Sequence, residues 1–203
     1  MSAVYDYVFL TLARAPTPHP ALARRLAAAA PALQATGGEV VGQFAPQLGW
    51  AGDEAAVLVR WSGPRGDLGP VIALQGVTGA RVEHVTPTIR PGDADRPLAG
   101  GVYVHRWFAV EAGAEDEFVQ LSGEGWAHFE ASFDTRIFGL FRAEPSDAAR
   151  ASGVTRLLLL TRYANHAVWE ASRDPTTEAM QIFQRRQQLT RRSWAASTRL
   201  VGS

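Results

Sequence analysis

The chain reads as an α+β protein of tandem ferredoxin-like design: βαββαβ written twice, with two antiparallel sheets facing one another around a shared core. Two observations predict it. β-rich apolar stretches alternate with helical stretches in the same order in both halves. Matched segments also recur at near-constant offsets, 96 from Tyr7 to Tyr103, 97 from Gly42 to Gly139 and 102 from Arg60 to Arg162. A sheet-and-helix unit repeated within one chain can enclose a cavity between its copies.

In the first copy, Tyr5 to Ala13 is short and β-rich, and the turn-forming run Ala15-Pro16-Thr17-Pro18-His19-Pro20 ends it. Thr17 is placed to cap a helix with Pro18 at its first position, where a missing N–H costs nothing. Leu22, Leu26, Ala30 and Leu33 then recur at helical spacing, with Pro31 expected to kink or end the helix and Gly37-Gly38 to close it. Glu39 to Phe44 and Ala55 to Trp61 read as the next two strands. The stretch from Gly63 to Gly79 is so rich in glycine and proline that the second helix of the repeat is expected to be degenerate. Arg81 to Pro87 reads as the fourth strand. Residues 88–100, with Pro91, Gly92, Asp93, Asp95 and Pro97, have linker composition. The expected domains are therefore 1–90, a linker over 91–100, and 101–203.

In the second copy, Gly101 to Val110 is a strand and Ala114 to Ser132 a helix whose first turn carries Glu115, Asp116 and Glu117, as the helix dipole favours. Phe118, Leu121, Trp126, Phe129 and Phe133 give that helix an apolar side. Arg136 to Ala143 and Thr155 to Tyr163 follow as strands. Asn165 to Arg173 reads as a short helix, Thr177 to Arg192 as a longer one, and Trp194 to Val201 as the last strand.

Composition excludes several chemistries. The 20 basic and 20 acidic residues cancel, so no global field draws the chain to nucleic acid or an anionic membrane. All 20 basic residues are arginine and there is no cysteine. Schiff-base lysines, the usual P-loop, thiolate nucleophiles and disulfides are thereby excluded. The start of the chain lacks the pattern of a secretory signal and no stretch reaches the roughly 18 apolar residues of a membrane span, so the expected location is cytoplasmic.

The stretch Leu159-Leu160-Thr161-Arg162-Tyr163-Ala164-Asn165, then Trp169-Glu170-Ala171-Ser172-Arg173 and Phe183-Gln184-Arg185-Arg186-Gln187-Gln188-Leu189-Thr190, together with Phe138-Gly139-Leu140-Phe141-Arg142, resembles the NIPSNAP family, particularly its bacterial members. The resemblance covers about residues 101–201, and the first half through the internal repeat. It implies the dimeric α/β-barrel superfamily, in which two ferredoxin-like sheets pack around a cavity. Its relatives there include cofactor-independent monooxygenases, haem enzymes, small isomerases and proteins without an assigned reaction, so it implies a fold more firmly than a chemistry.

Strand alternation sends Tyr103, His105 and Trp107 to one face and Val104 and Phe108 to the other; in the first copy it separates Tyr7, Phe9 and Thr11 from Val8, Leu10 and Leu12. The aliphatic sets suit a helix-covered face, which leaves the aromatic and polar sets facing the cavity. His105 is the candidate catalytic base, because an imidazole titrates near neutrality; the plain alternative is a packed histidine hydrogen-bonded to a neighbour. Tyr103, Trp107, Arg162, Tyr163 and His128 are the substrate-binding candidates. Arg162, matched by Arg60, is also read as an architectural arginine pairing with a carboxylate such as Glu130 or Glu170. His128, on a helix, is the one candidate axial ligand should haem bind, by analogy with haem enzymes of the superfamily.

The expected function is binding of an apolar or aromatic small molecule in an aromatic-lined cavity, with cofactor-free oxygenation or isomerisation as its enzymatic form. The alternatives are a non-catalytic binding or interaction protein and a haem-binding member of the superfamily. No metal, haem or flavin is expected, nor a nucleic-acid or membrane partner. A homodimer through the outer helices is left open.

Overall fold

A computed structural model describes residues 3–201; Met1, Ser2, Gly202 and Ser203 lie outside the described residues. The first half comprises β1 (Val4–Leu12), α1 (Pro18–Gln34), β2 (Gly38–Leu48), β3 (Glu54–Trp61), α2 (Gly69–Ile72) and β4 (Val77–Pro87). The second comprises β5 (Val102–Glu111), α3 (Glu115–Ser132), β6 (Thr135–Ala143), α4 (Asp147–Ser152), β7 (Val154–Tyr163), α5 (His166–Ala171), α6 (Glu178–Gln188) and β8 (Thr190–Leu200).

Each half has the ferredoxin-like strand order, β4-β1-β3-β2 and β8-β5-β7-β6, and the two sheets join through β2–β8 and β4–β6 into one closed antiparallel barrel of eight strands. Closure removes every sheet edge. It also buries both faces of most strands, which is why β1, β3, β5 and β7 read as almost continuous apolar runs. One apolar cluster fills the barrel, built on Tyr5, Tyr7, Phe44, Leu58, Tyr103, Phe141 and Leu160. Two others lie outside it. Leu22, Leu26 and Leu33 of α1 cover Val8, Leu10, Val57 and Val59, while Phe118, Trp126 and Phe129 of α3 cover Val104, Phe108, Leu157 and Leu159.

Local departures from the sequence reading have physical causes. α1 runs through Pro31 to Gln34 and Thr17 makes no side-chain cap bond; Leu33, held in the outer core at 2% exposure, keeps the last turn helical. The degenerate helix is the single turn α2. α6 ends at Gln188 rather than Arg192, because Thr190 and Arg192 pair with Val110 and Ala109 of β5, so that β8 starts at Thr190. α4, which the sequence reading left out, is capped by Ser146, whose hydroxyl accepts from the Ala149 N–H at 3.2 Å, and closed by Gly153 at φ 64°.

Residues 88–100 are bound along their length. The Thr88 N–H donates to the Leu140 carbonyl at 2.9 Å, and the Leu140 N–H to the Arg90 carbonyl at 3.1 Å. Pro91 rests on Gly139, where a Cβ would meet its Cδ at 2.5 Å. Arg96 donates to both oxygens of Glu39 at 3.2 and 2.8 Å, and the Leu98 carbonyl accepts from the Tyr103 hydroxyl at 2.8 Å. This segment covers the barrel end that carries Tyr5, Arg60, Tyr103 and Arg162.

Candidate functional site

The two halves are related by a pseudo-twofold whose register differs from the sequence alignment. Tyr5 pairs with Arg60 in β3, and Tyr103 pairs with Arg162 in β7. Tyr103 is therefore the counterpart of Tyr5, not of Tyr7, and His105 and Trp107 are the counterparts of Tyr7 and Phe9. The slip is two residues, so it leaves each side chain on the face that alternation gave it. Gly42 and Gly139 do correspond: each follows a register shift, and each lies under the ring of the phenylalanine two residues on, Phe44 or Phe141, which an added Cβ would meet at 2.8–2.9 Å.

His105 sits inside the barrel at 1% exposure. The Tyr7 hydroxyl lies 2.6 Å from its Nδ1 and the Thr198 hydroxyl 2.7 Å from its Nε2, while Thr198 Oγ1 is 3.4 Å from the Tyr103 carbonyl. One proton arrangement satisfies the whole chain: Tyr7 donates to Nδ1, Nε2–H donates to Thr198, and Thr198 donates to the carbonyl. Burial pushes the imidazole down to about 3 and the Tyr7 phenol well above its ordinary value. At neutral pH the ring is uncharged and both its nitrogens are committed, which is the packed-histidine arrangement.

Beyond His105 the barrel opens into a pocket of about 200 Å³ lined by Phe9, Trp50, Trp107, Trp194, Arg81 and Arg156, with His105 at its floor. The aromatic rings stand near parallel. Trp107 stacks on Trp194 (6.4 Å, 13°), Phe9 on Trp107 (6.4 Å, 24°), and Phe9 on Trp50 (5.5 Å, 28°). Arg81 lies 3.7 Å above the Phe9 ring and Arg156 4.7 Å above that of Trp107. Both arginines bind Glu83, Arg156 as a fork at 2.9 and 3.1 Å. Glu54 also lines the pocket, its Oε2 accepting the Ala51 N–H at 2.7 Å. The two lining guanidiniums are balanced by the carboxylates of Glu83 and Glu54, which leaves the pocket lining with aromatic surface and directional donors, and Arg192 lies over the Trp194 ring at 5.5 Å.

Of the sequence candidates, His105 and Trp107 meet in this pocket. Tyr103 and Arg162 lie at the opposite, covered end of the barrel, where Arg162 pairs with Asp134 at 2.7 Å rather than with Glu130 or Glu170. Tyr163 has the opposite strand parity and packs beneath α3 against Phe129, outside the barrel. His128 lies on the outer side of α3, its Nδ1 3.1 Å from Glu178. With a side chain 45% exposed and its Nδ1 engaged by Glu178, His128 does not fit an axial haem ligand. Trp50, Arg81, Arg156 and Trp194 are additional. Trp50 comes from the β2–β3 loop and carries no strand signal, whereas the other three share the inward parity of their strands and could have been found from it. Among the described residues no three His, Asp or Glu side chains are grouped to hold a metal ion, and no helix is long and apolar enough to cross a membrane. A larger groove of about 450 Å³ runs between α1 and β2, outside the barrel and mostly aliphatic.

No family model and no curated protein matches the chain. Among solved structures it is similar to a candidate monooxygenase from Lactobacillus acidophilus NCFM, at 12% identity over 98% of this chain and 94% of that one, with a TM-score of 0.62. An anthrone oxidase-like protein aligns at 14% identity over 98% and 92%, TM-score 0.59. A candidate monooxygenase from Fusobacterium nucleatum aligns at 8% identity over 99% and 93%, TM-score 0.57. The fold is the ferredoxin-like dimeric α/β-barrel. At such identities the likeness is one of fold.

Proposed function

We propose that the protein binds a small, uncharged aromatic molecule at the tryptophan-lined barrel mouth. The observation that carries this reading is the set of near-parallel rings, Phe9, Trp50, Trp107 and Trp194, around a pocket open to solvent. A flat ring inserted there gains stacking worth about 0.5–1.5 kcal/mol per aromatic partner beyond its area burial. The pocket is below the roughly 300 Å³ of drug-sized sites, which favours a ligand of one or two fused rings. The cancelled charge favours a neutral ligand, with Arg81 and Arg156 offering N–H edges to a hydroxyl or carbonyl oxygen.

Titration of the intrinsic tryptophan fluorescence with 2-naphthol tests the reading. Saturable quenching is expected, with Trp194→Ala weakening it by about tenfold while barely changing stability, because Trp194 is 40% exposed. Absence of saturation, or equal affinity in the variant, overturns it.

Cofactor-free oxygenation or isomerisation is the catalytic extension of the same reading, and the NIPSNAP resemblance of the second half is its finer family form. The committed nitrogens of His105 favour a site that holds its ligand over one in which this residue takes a proton. Oxygen uptake that depends on the bound aromatic would support the extension.

A further inference from the structure

On the outer side of the second half, three arginines converge beneath α5 and α6. Arg106 projects outward from β5, Arg173 follows α5, and Arg186 comes from α6. With Phe108, Met180, Phe183, Gln184 and Gln187 they line a pocket of about 190 Å³ that contains no carboxylate. Arg186 is only 8% exposed, and among the described residues the one hydrogen bond of its guanidinium, from Nη1 at 3.2 Å, goes to the Ser122 hydroxyl. Among the described residues none of the three arginines has an acidic side chain within ion-pair distance, although eleven other arginines do. Burial and the like charges of Arg106 and Arg173 push Arg186 down to about 9, so the three guanidiniums feel one another.

A buried cation ordinarily has a counter-charge. Here the rings of Phe108, Phe118 and Phe183, 4.3–5.1 Å from the Arg186 guanidinium, soften its desolvation. They do nothing for the mutual repulsion of three cations. We propose that this pocket is an anion site for a phosphate-class dianion, either inorganic phosphate or the phosphoryl group of a small monoester. Guanidinium forks match the spacing of phosphoryl oxygens, and the side-chain amides of Gln184 and Gln187 supply further donors at the rim. A monocarboxylate would leave two of the three positive charges unanswered. The site is independent of the barrel mouth, which lies on the other side of β5.

The test is thermal melting of the full chain, dialysed free of multivalent anions, with inorganic phosphate added against sodium chloride at matched ionic strength. Phosphate should raise Tm saturably. Arg186→Met should abolish that response and, without phosphate, melt at or above the wild type, since an apolar side chain then replaces an unanswered buried charge. Arg173→Gln, at an exposed position that does not endanger folding, should weaken the apparent affinity about tenfold. A larger shift with phenyl phosphate than with inorganic phosphate supports a monoester occupant, and an equal shift supports free phosphate. A wild-type response no greater than that to chloride overturns the proposal and leaves a self-sufficient cation–π cage. An undiminished response in either variant, or succinate matching phosphate, also overturns it.

Discussion

Replacing His105 by leucine removes the titrating ring at the centre of the barrel while keeping an apolar side chain of comparable bulk. At pH 7 the variant should lose about 1–3 kcal/mol, the cost of leaving a buried hydroxyl without a partner, because among the described residues the Tyr7 hydroxyl bonds only to His105. Thr198 keeps the Tyr103 carbonyl within reach. Acidification should close this gap. The imidazole titrates at about 3 in the fold against 6.5 in the unfolded chain, so between those values the unfolded state binds a proton that the folded state refuses. Wild-type stability attributable to His105 is therefore full above pH 6.5 and is lost as pH falls toward 3. At 1.36 kcal/mol per pH unit, the 1.5 units from 6.5 to 5 amount to about 2 kcal/mol, which the variant does not lose. The carboxylates common to both proteins cancel in the difference. Urea unfolding followed by tryptophan fluorescence at pH 7 and pH 5 measures it. A gap that does not change with pH would mean that His105 takes up its proton as readily in the folded protein as in the unfolded chain, and the sealed Tyr7–His105–Thr198 chain would be refuted.

Two further outcomes follow from the same geometry. Gly139→Ala should destabilise by about 1–3 kcal/mol, since its Cβ would meet Pro91, the Phe141 ring and the Arg90 carbonyl at 2.5–3.0 Å; Gly42→Ala, which meets chiefly the Phe44 ring, should cost less, and chemical denaturation ranks the two. His128→Ala should alter stability by less than about 0.5 kcal/mol, and adding haemin to the wild type should produce no saturating Soret band, because the His128–Glu178 pair lies on the outer surface of α3.

The repeat was legible because a strand buried on both faces advertises itself as an apolar run, and because Gly42 and Gly139 hold equivalent bulges beneath Phe44 and Phe141. The inward face of β5 was legible too, since alternation needs only parity. The register between the copies was not. A period of two cannot distinguish Tyr7 from Tyr5 as the partner of Tyr103, and the cross-strand neighbours Arg60 and Arg162 settle it only in three dimensions. Parity also misled where the end of the barrel mattered: Tyr103 and Arg162 face inward as expected, but at the end closed by residues 88–100, away from the open mouth. That mouth is assembled by closure of the sheet. It brings Arg81 of β4 and Arg156 of β7, 75 residues apart in sequence, onto the one carboxylate of Glu83.

A barrel formed by two identical chains must place the same residue on both sides of its twofold axis. Whatever stood at the position of Tyr7 would face itself, and a hydrogen bond between two such copies, one donating and one accepting, would break the exact twofold. Joining the halves in one polypeptide lifts that restriction, and Tyr7 opposite His105 is the result: one side gives a proton and the other receives it. The same freedom reaches the rim, where Arg81, paired across from Phe9, corresponds to Trp194, paired across from Trp107. The entrance is therefore lopsided, with a carboxylate-paired guanidinium at one of these matched positions and an indole at the other. A guest with distinct ends has one preferred way in, which a symmetric entrance could not impose.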